Sequence, residues 1–196
     1  MTIVCLGDST TAGTPYFESP AEAPPEGRGD ETGSYPYWIR QRHPDWRILN
    51  RGVNGERSDQ IAARFDRDAR AARPDVVVII AGVNDIYQGR QADHVTAQLA
   101  SMYERARAAR IAVVGGSIVA YNTATAEQNA SMHAVNAWIG VQAARDPNLS
   151  FADTRGAAAS QSDPDRLAES PDGLHPDRDG YRRMAEAIDR AIGNRE

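Results

Sequence analysis

The sequence predicts an α/β protein with a doubly wound parallel sheet and helices on both faces. Two observations carry that expectation: short apolar runs alternate with longer segments of helical period, and the run Val76-Val77-Val78-Ile79-Ile80 is unbroken and β-branched. A strand buried on both faces of a parallel sheet has no polar alternation, so this run is read as a central strand.

The first strand is expected at Thr2–Gly7, and the second over residues 46–50. The third covers 75–81, and two more follow over 111–119 and at Leu149–Ala152. Between them the clearest helix spans 93–110, with Val95, Leu99, Met102 and Ala106 on one face and Asp93 as its cap. Ser58 is read as the cap of a helix bearing Ile61 and Phe65. Met132, Val135 and Ile139 mark another helix near 129–145. The last opens near Asp177 and carries Tyr181, Met184, Ala185, Ile188 and Ile192 on one stripe. Residues 14–33, rich in Pro, Gly and Glu, read as one long loop, and 156–171 as a second.

At 196 residues, with 41% hydrophobic and 25% charged, the chain fits a single domain over residues 1–196 built on one core. A net charge of −5 argues against nucleic acid as a partner, because phosphate binding needs a basic face. All 22 basic residues are Arg, which removes Schiff-base, P-loop-lysine and Ser-Lys chemistry. The lone Cys5 lies in an apolar run and is read as a core thiol. No run is long enough to span a bilayer, and no charged leader with an apolar segment precedes the first strand. A cytoplasmic protein is the expectation, secretion requiring a leader removed beforehand. No unexplained apolar helix face indicates an oligomer.

In open parallel sheets ligands bind beyond the carboxyl ends of the strands. The first strand ends in Gly7-Asp8-Ser9, which puts a hydroxyl at that edge. The second runs into Gly52-Val53-Asn54-Gly55 and the third into Gly82-Val83-Asn84-Asp85, delivering backbone N–H groups and a side-chain amide suited to binding an oxyanion. Any one of these is also an ordinary turn, and only their recurrence at successive strand ends points to a site. Asp172-Gly173-Leu174-His175 stands just before the last helix, an acid and an imidazole three residues apart. A serine hydroxyl needs a base that works near neutral pH, and a carboxylate fixes the tautomer of that base. A metal site on this pair lacks a Cys cluster or a second His at ligand spacing.

These four segments, in order and approximate spacing from residue 7 to 175, resemble the four blocks of the SGNH (GDSL-like) hydrolase family. The resemblance implies a flavodoxin-like three-layer α/β/α sandwich around a parallel sheet of about five strands. It also implies a serine esterase with Ser9 as nucleophile, His175 as general base and then acid, and Asp172 as its orienting partner. The oxyanion hole would combine the N–H groups of Ser9 and Gly55 with the Asn84 side chain, Gly52 being the alternative to Gly55. Thr10-Thr11 follows the serine where many members have Leu or Ile. No cofactor and no metal are implied.

The implied substrates are carboxylic esters of small alcohols, aryl groups, sugars or lysophospholipids, and sometimes thioesters, with short acetyl-type acyl chains expected because no long apolar groove is evident. Pocket walls are expected from residues 15–33, 86–91, 121–129 and 156–171, with Tyr16, Phe17, Ile86 and Tyr87 as candidates to line an acyl or aryl site. Two other readings use the same residues differently: an acyltransferase, thioesterase or lysophospholipase on the same acyl-enzyme, and a non-catalytic binding relative.

Overall fold

The structure, a computed structural model, describes residues 1–193. Residues 194–196 of the expected domain lie outside the described part.

In chain order the elements are β1 (Thr2–Gly7), α1 (Ser9–Ala12), the short strands β2 (Phe17–Glu18) and β3 (Arg28–Gly29), α2 (Tyr35–Arg42), β4 (Arg47–Gly52), α3 (Ser58–Ala63) and α4 (Phe65–Asp68). Then come β5 (Val76–Ile80), α5 (Val83–Tyr87), α6 (Ala92–Ala108), β6 (Ala112–Gly116), α7 (Ala126–Ala143), β7 (Leu149–Ala152), α8 (Thr154–Ala158) and α9 (Arg178–Gly193). Five strands form one parallel sheet in the order β4-β1-β5-β6-β7, so the unbroken apolar run lies at its centre. From β1 the chain moves first to β4 on one side and later to β5 on the other. The carboxyl end of β1 therefore sits at the switch point where such sheets open a crevice.

Where one core was expected, strand alternation divides the buried residues into two, one on each face of the sheet. Val4, Leu6, Val77, Ile79 and Val113 pack against α3, α4, α6 and α7, whereas Ile3, Cys5, Val76, Val78, Ile80 and Val114 pack against α2, α8 and α9. This is the three-layer sandwich. Each buried aliphatic side chain contributes roughly 1.5–3 kcal/mol of transfer free energy, which makes the sheet a rigid base for what stands on its edge. Among the described residues no helix is long and apolar enough to cross a membrane.

Several local expectations are corrected. The second strand starts after Trp46, whose ring stacks on His43 at 3.6 Å, and extends through Gly52 in continuous register with β1. The fourth major strand ends at Gly116 although the apolar run continues to Val119, because the Asn136 side chain takes over the backbone of Ile118: it accepts from the N–H at 2.7 Å and donates to the carbonyl at 3.0 Å. Asp93 is not a cap but lies in the first turn of α6, after Gln91. Its carboxylate suits the positive end of the helix dipole. Ser58 is the first residue of α3 rather than its cap, since its N–H and hydroxyl both go to Asp85, and Phe65 belongs to the separate α4. Residues 14–33 are not one loop: β2 and β3 pair antiparallel, and a 3₁₀ turn follows at Glu31–Gly33. Residues 156–171 start inside α8 and include the bridge Ala159↔Leu167.

Candidate active site

The serine turn is built from its glycine upward. A side chain at Gly7 would place its Cβ 2.2 Å from Thr11 Oγ1 and 2.4 Å from the Ile80 carbonyl oxygen, so only glycine lets β1 turn this tightly beside β5. Asp8 caps the short helix that follows, its Oδ1 accepting from Thr10 N–H at 2.9 Å. Thr11 and Ala12 N–H donate to the Asp8 carbonyl. Ser9 is thereby the first residue of α1, and the N–H groups of a first turn have no preceding carbonyl to bond.

Beneath the turn, buried Arg64 uses its planar fork on four groups. It donates to the Gly7 carbonyl at 2.8 Å, the Arg51 carbonyl at 2.9 Å, Glu56 at 2.6 Å and Asp68 at 3.0 Å. The ends of β1 and β4 are tied together by one side chain that a lysine could not replace.

Asp8 itself is fully buried, and its Oδ2 has no hydrogen-bonding partner among the described residues. Burial pushes its carboxyl up to about 7, and nearby Asp85 adds to this, against the opposing hydrogen bonds of Thr10 and the charge of Arg64.

Two polar contacts connect the serine to the segment before α9. Ser9 Oγ lies 2.8 Å from His175 Nε2, and His175 Nδ1 lies 2.7 Å from Asp172 Oδ2. The other carboxylate oxygen accepts from Leu174 and His175 N–H, both at 2.9 Å, which folds the segment into a turn that returns the imidazole toward the sheet. Ser170 Oγ donates to the His175 carbonyl at 2.7 Å, and Asn122 N–H donates to the Gly173 carbonyl at 2.7 Å. At the start of α9, Asp177 accepts from Gly180 N–H, and Tyr181 reaches back to the Thr14 carbonyl at 2.7 Å. Partial burial raises the Asp172 carboxyl, but the His175 ring and the two backbone donors outweigh it and hold the group below the usual carboxylate range.

A cavity of about 220 Å³ opens at this point, lined by Ser9, Asn54, Gly55, Asn84, Tyr87 and His175 together with Thr10, Val83, Tyr121 and Leu174. Asn84 stands in the first turn of α5 and donates one amide hydrogen to the Glu56 carbonyl at 2.9 Å, which orients the other. Gly55 has φ +73°, and the space around it is open. Gly52 is different: a Cβ there would come within 2.0 Å of Ala12 N, and its own N–H is held by Asn50 at 3.0 Å. It is a packing glycine outside the cavity. Asn54 is fixed by Glu22, whose carboxylate accepts from its N–H at 2.8 Å and its side chain at 2.9 Å, so the 14–33 segment braces the second block.

Of the four residues expected to line an acyl or aryl site, Tyr87 alone is in the cavity wall. Tyr16 lies under the Arg178 guanidinium, 4.0 Å from the ring centre and packed on Gly33, while Phe17 is buried in the hairpin against Gly27. Ile86 points into the core beneath α5. Tyr121, the first residue of the segment 121–129 expected as a pocket wall, joins Tyr87 in the lining although it was not among the four named candidates.

For a cation, Asp59, Asp85 and His94 offer ligand atoms within 4.8 Å of one another. Those groups already have partners: Asp85 accepts twice from Ser58, His94 Nε2 lies 3.0 Å from Arg90, and Asp59 pairs with Arg57 at 3.3 Å.

A model of the GDSL-like Lipase/Acylhydrolase family matches residues 5–183. No curated protein matches the sequence. Among solved structures the chain is similar to a member of the lipolytic protein G-D-S-L family from Veillonella parvula, with TM-score 0.81, 21% identity and 98% of each chain covered. TesA gives TM-score 0.76 at 21% identity with 100% of both chains covered. A catalytic mutant of an acetylxylan esterase from Geobacillus stearothermophilus gives 0.75 at 21%, covering 98% of this chain and 94% of that one. At such identities the likeness concerns the fold.

Proposed function

The chain belongs to the GDSL-like lipase/acylhydrolase family, and on that premise we propose that it is a serine esterase acting on carboxylic esters with short acyl chains. The observation that carries this reading is the continuous contact from Ser9 Oγ through His175 to Asp172, at 2.8 and 2.7 Å.

In this reading His175 Nε2 takes the Ser9 proton as Oγ attacks the ester carbonyl carbon. The carbonyl π bond opens to an oxyanion received by Ser9 N–H, Gly55 N–H and the free amide hydrogen of Asn84. Asp172 holds the Nδ1–H and stabilises the imidazolium. The tetrahedral intermediate then expels the alcohol, which leaves with the proton from His175. Water, deprotonated by the same nitrogen, attacks the acyl-serine; the second tetrahedral intermediate breaks its bond to Ser9 Oγ, which takes the proton back from His175, and the carboxylic acid is released. No step calls on a metal or an organic cofactor.

A cavity of about 220 Å³ is smaller than the roughly 300–1,000 Å³ that drug-sized ligands occupy, which supports a short acyl chain. The test is hydrolysis of p-nitrophenyl acetate, butyrate and octanoate by the wild type and by Ser9→Ala, with and without EDTA. Activity that survives EDTA, falls with chain length and drops roughly 10⁴- to 10⁶-fold in Ser9→Ala is the expected result. Full activity of Ser9→Ala would remove the assignment.

A further inference from the structure

Among the described residues two tyrosine hydroxyls are buried with no hydrogen-bonding partner, those of Tyr103 and Tyr121. They differ in place. Tyr103 lies in the core, its hydroxyl 2.7 Å from where a Cβ on Gly115 would stand. Tyr121 is 2% exposed but forms part of the wall of the cavity that holds Ser9 and His175. Its ring meets Tyr87 edge-on, centroids 5.6 Å apart, and Tyr87 is 55% exposed at the rim. A buried hydroxyl without a partner forfeits its hydrogen bond to water and gains nothing in exchange. Next to a cavity that accepts a ligand, the missing partner can be supplied by that ligand.

Resting on the esterase reading above, we infer that Tyr121 is a specificity-determining residue whose phenol recognises a hydroxyl carried close to the ester group, so that the preferred substrates are small hydroxylated esters rather than plain alkyl esters. Burial and the neighbouring Tyr87 phenol push the Tyr121 hydroxyl up from its ordinary range, so at neutral pH it keeps its proton and both donates and accepts. The rest of the wall agrees with a substrate of mixed character: Val83 and Leu174 offer apolar contact, Thr10 and Asn54 are polar, and Tyr87 presents a ring to the opening.

The hydroxyl could belong to the acid or to the alcohol, and two isosteric pairs distinguish them. Methyl glycolate against methyl propionate puts it on the acyl side, and 2-hydroxyethyl acetate against propyl acetate puts it on the alcohol side. The measurement is kcat/KM by pH-stat for the wild type and Tyr121→Phe, so that intrinsic reactivity cancels in the wild-type to variant ratio. The expected result is that Tyr121→Phe lowers kcat/KM for the hydroxylated member of one pair by about tenfold or more beyond its effect on the plain partner. The pair that responds names the side. Since the substitution breaks no hydrogen bond within the protein, its Tm should equal or exceed that of the wild type.

Equal effects on plain and hydroxylated esters, no effect on either, or a lowered Tm would each overturn the inference while leaving the esterase reading intact. Hydrolysis of none of the four esters by the wild type would overturn both.

Discussion

Two carboxylates stand on either side of Ser9, and the protein treats them in opposite ways. Asp8 is one residue from the serine in sequence, fully buried, with one oxygen on Thr10 N–H and the other without a partner. Asp172 comes from the far end of the chain, is partly exposed, and uses both oxygens, one on His175 Nδ1 and one on two backbone N–H groups. Burial without compensation pushes the first up to about 7, and compensation in excess of burial holds the second low. At neutral pH the carboxylate with a fixed charge is the one that touches the imidazole. Sequence distance from the nucleophile is thus no guide to role. What decides is how many donors each oxygen meets.

The largest way to break this contrast is to remove the groups that form the relay. Asp172→Ala and His175→Ala should each lower kcat by roughly 10⁴-fold on a p-nitrophenyl ester, as triad members do elsewhere. Asp8→Asn keeps an acceptor for Thr10 N–H and should stay within about tenfold of wild type, since Asp8 touches no reacting atom. Steady-state kinetics on the three variants compares them directly, and equal losses would erase the distinction. Next in size, Asn84→Ala should cost roughly 10²- to 10³-fold in kcat, the usual effect of one lost oxyanion donor. Its KM should change little.

The smallest effects are on stability, and their signs differ. The folded state holds the Asp8 proton more tightly than the unfolded chain, so its contribution is full below about pH 4 and is lost as pH rises through about 7. The loss is bounded by roughly 4 kcal/mol, about three pH units at 1.36 each. Asp172 works the other way: its contribution is present above the ordinary carboxylate range and lost as pH falls through its lowered value. Thermal unfolding of wild type and Asp8→Asn at pH 5 and pH 8 checks this. The wild-type Tm should fall more than the variant Tm between the two, and parallel curves would mean that Asp8 ionises freely.

The fold was largely legible because parallel strands are written as continuous apolar runs, and Val76–Ile80 took the centre that its lack of alternation required. Strand ends were less so. Residues 117–119, with Ile118 and Val119 apolar, read as strand, yet a distant side chain, Asn136, takes over the backbone of Ile118, and no local pattern encodes that. The helix Tyr35–Arg42 was overlooked because its residues follow a Pro- and Gly-rich stretch that masks their start, although Ser34 caps it in an ordinary way.

At the site, the residues that meet around the cavity are those that follow strand ends, together with the Asp172–His175 turn whose spacing is local. The wall was harder, since aromatic character alone pointed to Tyr16 and Phe17 as readily as to Tyr87. Arg178 and the β2–β3 hairpin occupy the first two, and only the three-dimensional packing reveals it. Tyr121 opens the segment 121–129 that the sequence already marks as a wall, since this segment follows β6 at the carboxyl edge of the sheet. The lack of a partner for its hydroxyl, by contrast, is a property of the folded state alone.

The most direct test of the central claim is covalent: intact-mass and peptide mass spectrometry after reaction with a fluorophosphonate, which phosphonylates a serine only when it is activated as a nucleophile. One adduct per chain is expected, located on the peptide containing Ser9 and lost in Ser9→Ala and His175→Ala. An adduct on another serine, or ester hydrolysis that continues undiminished in chains that carry the adduct at Ser9, would contradict it.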